Sequence, residues 1–196
     1  MPPGPAACYF PPGAARSGTT GGRPADLSMR ILAFDTCTPT ASVAVVSGKQ
    51  TLAEISASVE ARHGETLLPR IESALERAGL DLTSLDLLAV GIGPGSFTGV
   101  RVGLATAKGL ALASGRPLRG VISLRTMARG ALEVDSPLVA PVLDAYKGEV
   151  YLALYARNPA GEIEERIAPL HAPPEQAAQA LVRALSQRQI VGAALD

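Results

Sequence analysis

The 196-residue sequence is 47% hydrophobic, 4% aromatic and 18% charged, with 18 lysines and arginines balancing 18 aspartates and glutamates. A chain of that length and aliphatic character can build a real core, and the lack of a basic run excludes a protein that grips nucleic acid by itself through counterion displacement. No apolar stretch reaches the roughly 18 residues that a membrane-spanning helix requires, and Cys8 and Cys37 form neither a ligand pair nor a disulfide framework, which fits a reducing cytosol.

The first 28 residues, MPPGPAACYFPPGAARSGTTGGRPADLS, are rich in proline and glycine. Such a composition cannot bury enough surface to offset chain entropy, so 1–28 is expected to be a disordered extension. It has neither the basic start nor the apolar stretch of a secretory signal. Met29 opens MRILAFDT, a sensible first strand and a plausible true start.

From Arg30 the elements follow in order. RILAFDT reads as a buried strand ending at Asp35, CTPTA as a turn, SVAVVSG as a second strand and TLAEISASVE as a third. HGETLLPRIESALERAGL places Leu67, Leu68, Ile71, Leu75 and Ala78 at helical spacing. Thr66 is the expected N-cap, Pro69 falls in the first turn, and Gly79 suits the position after the helix end. LDLLAVGIG is a fourth strand, followed by a helix over 98–114, the strand PLRGVIS and the helix SLRTMARGALE.

The second half repeats the plan. PLVAPVLDA is a strand ending near Asp144, EVYLALYAR and EIEERIAP are the next two, PPEQAAQALVRALSQR is a helix and QIVGA a fourth strand. Both halves are therefore βββαβ with an aspartate closing the first strand. This is either a duplicated unit or the general likeness of two α/β segments. The expected division is lobe one over 29–130 and a shortened lobe two over 131–196. The second half ends right after its fourth strand, which would leave a sheet face without a covering helix.

The stretch GIGPGSFTGVRVGLATAKGLALA admits two readings. Backbone N–H groups at Gly93, Gly95, Ser96 and Thr98 could cradle phosphate at a helix start, with Asp35 and Thr36 orienting metal-bound water. However, the loop fits neither the dinucleotide nor the Walker fingerprint, and a tight turn is the plainer alternative. In the helix, Gly99, Gly103, Ala107 and Ala111 recur every four residues and line one face. Helical glycine costs up to about 1 kcal/mol against alanine, so close packing is expected there, either on this chain's own sheet or on a neighbouring subunit. The catalytic inventory is thin. His63 and His171 have no partner at metal-ligand spacing, and no G-x-S-x-G elbow occurs.

Taken together, ILAFDTCTPTASVAVV, HGETLLP, GIGPGSFTGVRVGLATAKGLALA and LDAYKGEVY resemble the TsaB (YeaZ) family over residues 29 to about 190. The resemblance implies an α/β fold of the actin-like, Hsp70-like (ASKHA) kind with two βββαβ lobes. It implies a non-catalytic, cytoplasmic dimerisation subunit, without metal or cofactor, of the machinery that makes threonylcarbamoyladenosine beside the tRNA anticodon. The implied partners are the paralogous transferase TsaD and the ATPase TsaE, with a homodimer when alone and tRNA met only through the complex. By position it maps the partner interface onto Leu67, Leu68, Ile71 and Leu75 of one helix and Gly99, Val100, Gly103, Leu104 and Ala107 of the other. Asp35, Thr36, Gly93, Gly95 and Ser96 would be a vestigial nucleotide site. The rival readings are a nucleotide-dependent ATPase or kinase of the same fold and, with less support, a glycoprotease-like peptidase.

Overall fold

The computed structural model describes residues 8–9, 28–58, 63–131, 137–159 and 161–186. They fall into two compact units, Met1–Ile92 with Phe97–Val121, and Gly93–Ser96 with Ile122–Asp196.

Unit one is built on a six-stranded sheet. Its strands are β1 (Cys8–Tyr9), β2 (Arg30–Asp35), β3 (Thr40–Ser47), β4 (Gln50–Ser58), β5 (Leu87–Gly91) and β6 (Leu118–Val121), in the order β1-β6-β5-β2-β3-β4. β2, β3 and β4 form an antiparallel meander, while β5 and β6 run parallel to β2. The register sets Phe34 beside Val43 on one side and Val90 on the other. Side chains alternate across a strand, so Leu32, Phe34, Val43, Val45, Leu88 and Val90 share one buried face. Two helices close it. α1 (His63–Ala78) packs on β3 and β4 through Leu67, Ile71 and Ala74. α2 (Phe97–Ser114) packs on β5, β2 and β6 through Ala107 and Ala111.

Two local expectations change here. α1 begins at His63, so Thr66 lies inside the helix and Pro69 is internal to it. The apolar stripe of Leu67 and Ile71, seated in the core, outweighs the one backbone bond that Pro69 cannot donate. Cys8–Tyr9, expected within a disordered tail, pairs antiparallel with β6, whose outer edge otherwise offers unpaired backbone groups. The rest of 1–27 lies outside the described residues. The end of α1 follows expectation: Gly79 takes φ +64°, its N–H reaches the Glu76 carbonyl, and the Leu80 N–H reaches that of Leu75.

Unit two contains α3 (Ser123–Ala131), β7 (Leu138–Val139), β8 (Val142–Tyr146), β9 (Glu149–Arg157), β10 (Ile163–Ala172) and α4 (Pro174–Ser186). β9 is central, with β10 on one side and β7 and β8 on the other, all antiparallel. The single strand expected over PLVAPVLDA is split before Val142, where Pro141 has no N–H to give a ladder. Leu124 and Ala128 of α3 pack on Ala153 and Tyr155 of β9, while α4 packs on β10 and β9. The helix SLRTMARGALE thus belongs to unit two, where it covers the sheet face that the sequence left bare. The boundary moves from 130/131 to 121/122 for that reason, and the loop 93–96 goes with the second unit. The expected fourth strand QIVGA lies outside the described residues.

The repeat extends to hydrogen bonds. The Asp35 carboxylate accepts from the Cys37 N–H at 2.7 Å, and the Asp144 carboxylate accepts from the Tyr146 N–H at 2.7 Å. An aspartate accepting from the amide two residues on thus recurs near a strand end in each half, while left-handed residues follow only in the second, at Tyr146 and Lys147. The mixed α/β fold is the class expected from the sequence.

Candidate functional site

Each unit holds its own part of the segment from Gly93 to Gly103 through one buried hydroxyl. In unit one, the buried Thr36 hydroxyl donates to the Gly99 carbonyl at 2.7 Å. Thr36 is the residue after β2, so this bond ties the first turn of α2 to the end of the central strand. A Cβ on Gly103 would stand 2.5 Å from the Thr36 hydroxyl and 3.6 Å from Val90 Cγ2, which is why no side chain fits. In unit two, the Gly93 N–H donates to the Ser123 hydroxyl at 3.2 Å, and the Ser123 N–H donates to the Gly93 carbonyl at 2.8 Å. Gly93 has φ +86°, open to glycine at little cost.

These bonds decide between the readings of the glycine stretch. Gly99, Gly103, Ala107 and Ala111 are all buried, and they face this chain's own sheet. At Gly103 the Thr36 hydroxyl and Val90 fill the space in which the expected neighbouring subunit would sit. Leu67 and Ile71 are likewise buried in the core of unit one. Leu75, Val100 and Leu104 are half-buried at the margin, and Leu68 stands 48% exposed. The phosphate reading weakens as well. The Thr36 hydroxyl and the Gly93 N–H are both committed to protein partners. A Cβ at Gly91 would overlap the Asp35 carboxylate, which is packed against that backbone.

The outward face of α2 is the feature that sequence reading missed. Phe97, Arg101, Ala105, Gly109 and Ala113 also recur every four residues, half a turn from the buried stripe, and all are exposed. Phe97 is 74% exposed, with the Arg101 guanidinium carbon 5.1 Å from its ring centroid. A cation over an aromatic face in this range is attractive. Leu112 is 60% exposed on the adjoining row that includes Val100 and Leu104. A Cβ at Gly109 would meet nothing within 4 Å, so nothing in the described residues calls for glycine there. The signal was present in the spacing, since α2 carries two small-residue rows. Spacing alone does not say which row meets the sheet.

Among the described residues no three His, Cys, Asp or Glu side chains converge as metal ligands, and no helix is long and apolar enough to cross a membrane.

A family model described as TsaD, tRNA N6-adenosine threonylcarbamoyltransferase, matches residues 50–181. The chain is 42% identical over 134 residues to the tRNA threonylcarbamoyladenosine biosynthesis protein TsaB of Escherichia coli (strain K12), covering 68% of this chain and 58% of that protein. It is 38% identical over 133 residues to the TsaB of Haemophilus influenzae, covering 67% and 56%. The solved structure of YeaZ from Pseudomonas aeruginosa superposes with a TM-score of 0.70 at 34% identity, covering 74% of this chain and 68% of that one. The chain thus spans a little over half the length of these curated relatives. The family model bears the transferase's description, but these relatives, matched over two thirds of this chain, are named TsaB, and their names decide the branch.

Proposed function

The chain belongs to the TsaB (YeaZ) family, and from that premise we propose that it acts in forming N6-threonylcarbamoyladenosine in tRNA as a non-catalytic scaffold. In this reading it binds a TsaD-type transferase through the outer faces of α1 and α2, joins TsaE in the larger assembly, and pairs with itself when alone. It meets tRNA only through the complex, in the cytoplasm. One observation carries the reading: two helices whose inner faces are fully used by the core present Leu68, Phe97 and Leu112 to solvent, with Val100 and Leu104 beside them. Phe97 and Leu112 stand on adjoining rows of the outward face of α2, and exposed apolar groups sharing one helix face support an interaction surface. An aromatic ring with a stacked arginine is the type of anchor that dominates interface energetics. The neutral charge balance supports a subunit that does not hold tRNA by itself.

The test is co-purification with TsaD, comparing wild type with Leu112→Asp. Leu112 is surface-exposed, so its replacement leaves stability within about 0.5 kcal/mol while placing a charge in the docking face. Loss of association is the expected result, and intact association removes this face from the interface. The rival nucleotide-dependent activity is separated by calorimetry with Mg-ATP. Micromolar binding that disappears in Asp35→Ala would favour the rival.

A further inference from the structure

The outward rows of α1 and α2, both in unit one, differ in charge. On α1, Leu68, Glu72 and Glu76 follow one another at four-residue spacing, and all three are exposed. On α2, Arg101 and Lys108 are the only charged residues. Both are exposed, two turns apart, on the face that also bears Phe97 and Leu112. One row is therefore acidic below a single leucine, and the other is basic with an apolar group at either end. No ion pair among the described residues uses Glu72, Glu76, Arg101 or Lys108. Arg101 instead lies over the Phe97 ring, which orients its guanidinium without neutralising it.

We propose that these four charges determine how the docking surface pairs with a second copy of this chain: Glu72 and Glu76 of one copy lie against Arg101 and Lys108 of the other. This rests on the reading above that the outer faces of α1 and α2 form that surface. The complementarity lies within one chain, so a second copy supplies to each row the sign it lacks. In a two-fold pair every contact occurs twice, and the acidic row of each protomer meets the basic row of the other. An arrangement that sets α1 on α1, or α2 on α2, brings like charges together and is disfavoured. Leu68, Phe97 and Leu112 supply the apolar burial, while the charges fix which helix meets which. Along the helix axes the two glutamates stand about 6 Å apart and the two cations about 10 Å. The long arginine and lysine stems take up that difference.

The test uses the full chain, with self-association read by sedimentation equilibrium at low and high salt. Two double variants reverse one row each. Glu72→Lys with Glu76→Lys leaves both rows basic, and Arg101→Glu with Lys108→Glu leaves both acidic. All four positions are exposed, so the fold is retained, which circular dichroism verifies. Each double variant alone should self-associate roughly tenfold more weakly than wild type at low salt. The deficit should shrink at about 0.5 M salt, where exposed charges are screened. An equimolar mixture of the two should return to an affinity near wild type, because each row again meets its opposite. A general loss of packing cannot produce that recovery. If both double variants self-associate as tightly as wild type, or if the mixture fails to recover, the charge pairing is overturned. A wild-type chain that stays monomeric overturns the self-pair outright. Leu112→Asp reports on the surface separately. If it turns monomeric while the double variants pair as wild type does, the surface stands without the charge pairing. If it pairs as tightly as wild type, the docking surface falls and this inference falls with it.

Discussion

Replacing Gly103 by alanine asks whether the buried stripe of α2 belongs to the core or to a partner. In a free helix, Gly→Ala gains up to about 1 kcal/mol. At this position the new Cβ would stand 2.5 Å from the Thr36 hydroxyl, well inside any real contact, and 3.6 Å from Val90 Cγ2, an ordinary one. Thr36 is buried and its hydroxyl bonds to Gly99, so relief requires rotating the side chain and breaking that bond. Overpacking of this kind costs roughly 1–3 kcal/mol, and the lost hydrogen bond about 1 more. The net expectation is a loss of about 1–3 kcal/mol, or roughly 2–10 °C in melting temperature for a chain of this size. Gly109→Ala, on the same helix, has open space around its Cβ and should instead gain about 0.5–1 kcal/mol. Chemical denaturation followed by circular dichroism measures both. Combining Gly103→Ala with Thr36→Ala should recover part of the loss, since the two sites share one contact. A Gly103→Ala protein as stable as wild type, or a pair of alanine variants with the same sign, would refute the assignment of this stripe to the core.

Other outcomes follow from single contacts. Gly91→Ala would place a methyl group on the Asp35 carboxylate, so it should destabilise unit one and disturb the turn at Cys37, seen as faster exchange of the Cys37 amide. Tyr155 is 0% exposed and its hydroxyl has no hydrogen-bond partner. Tyr155→Phe should therefore leave stability unchanged or raise it by about 1 kcal/mol in urea denaturation at neutral pH. Burial pushes that phenol up to about 12, with Glu165 adding to the rise and Arg125 opposing it. The folded value lies above the unfolded value near 10, so this group's contribution is intact below pH 10 and is lost as pH rises towards 12, by up to ~2 kcal/mol. The Tyr155→Phe variant should lack that part of the alkaline loss, and an identical pH profile would count against a buried, neutral phenol. Within the described surface, Phe97→Ala should weaken partner association without lowering stability, because the ring contributes little to the core.

The order of strands and helices was legible along most of the chain. Short apolar runs such as RILAFD and EVYLALYAR, the helical spacing of Leu67, Ile71 and Leu75, and Gly79 at a helix end are local signals, each readable from neighbouring residues. The family followed from GPGSFTG and its companions, and the aspartate at each strand end hinted at the repeated turn. What sequence could not resolve was direction. α2 is small and apolar on nearly every side, with one four-residue row through Gly103 and another through Gly109, and nothing local distinguishes them. The choice was made by Thr36, 67 positions before Gly103, whose hydroxyl occupies the space that the missing side chain leaves. Likewise α3 reads as the end of the first lobe until Tyr155 of β9 draws Leu124 and Ala128 onto the second sheet. Sequence alone determined most of the elements and their order, because propensity and periodicity act between near neighbours, and its motifs carried the family resemblance. Which face of each helix is core and which is free to meet a partner was decided only by tertiary packing, because it depends on atoms brought together from far apart in the chain.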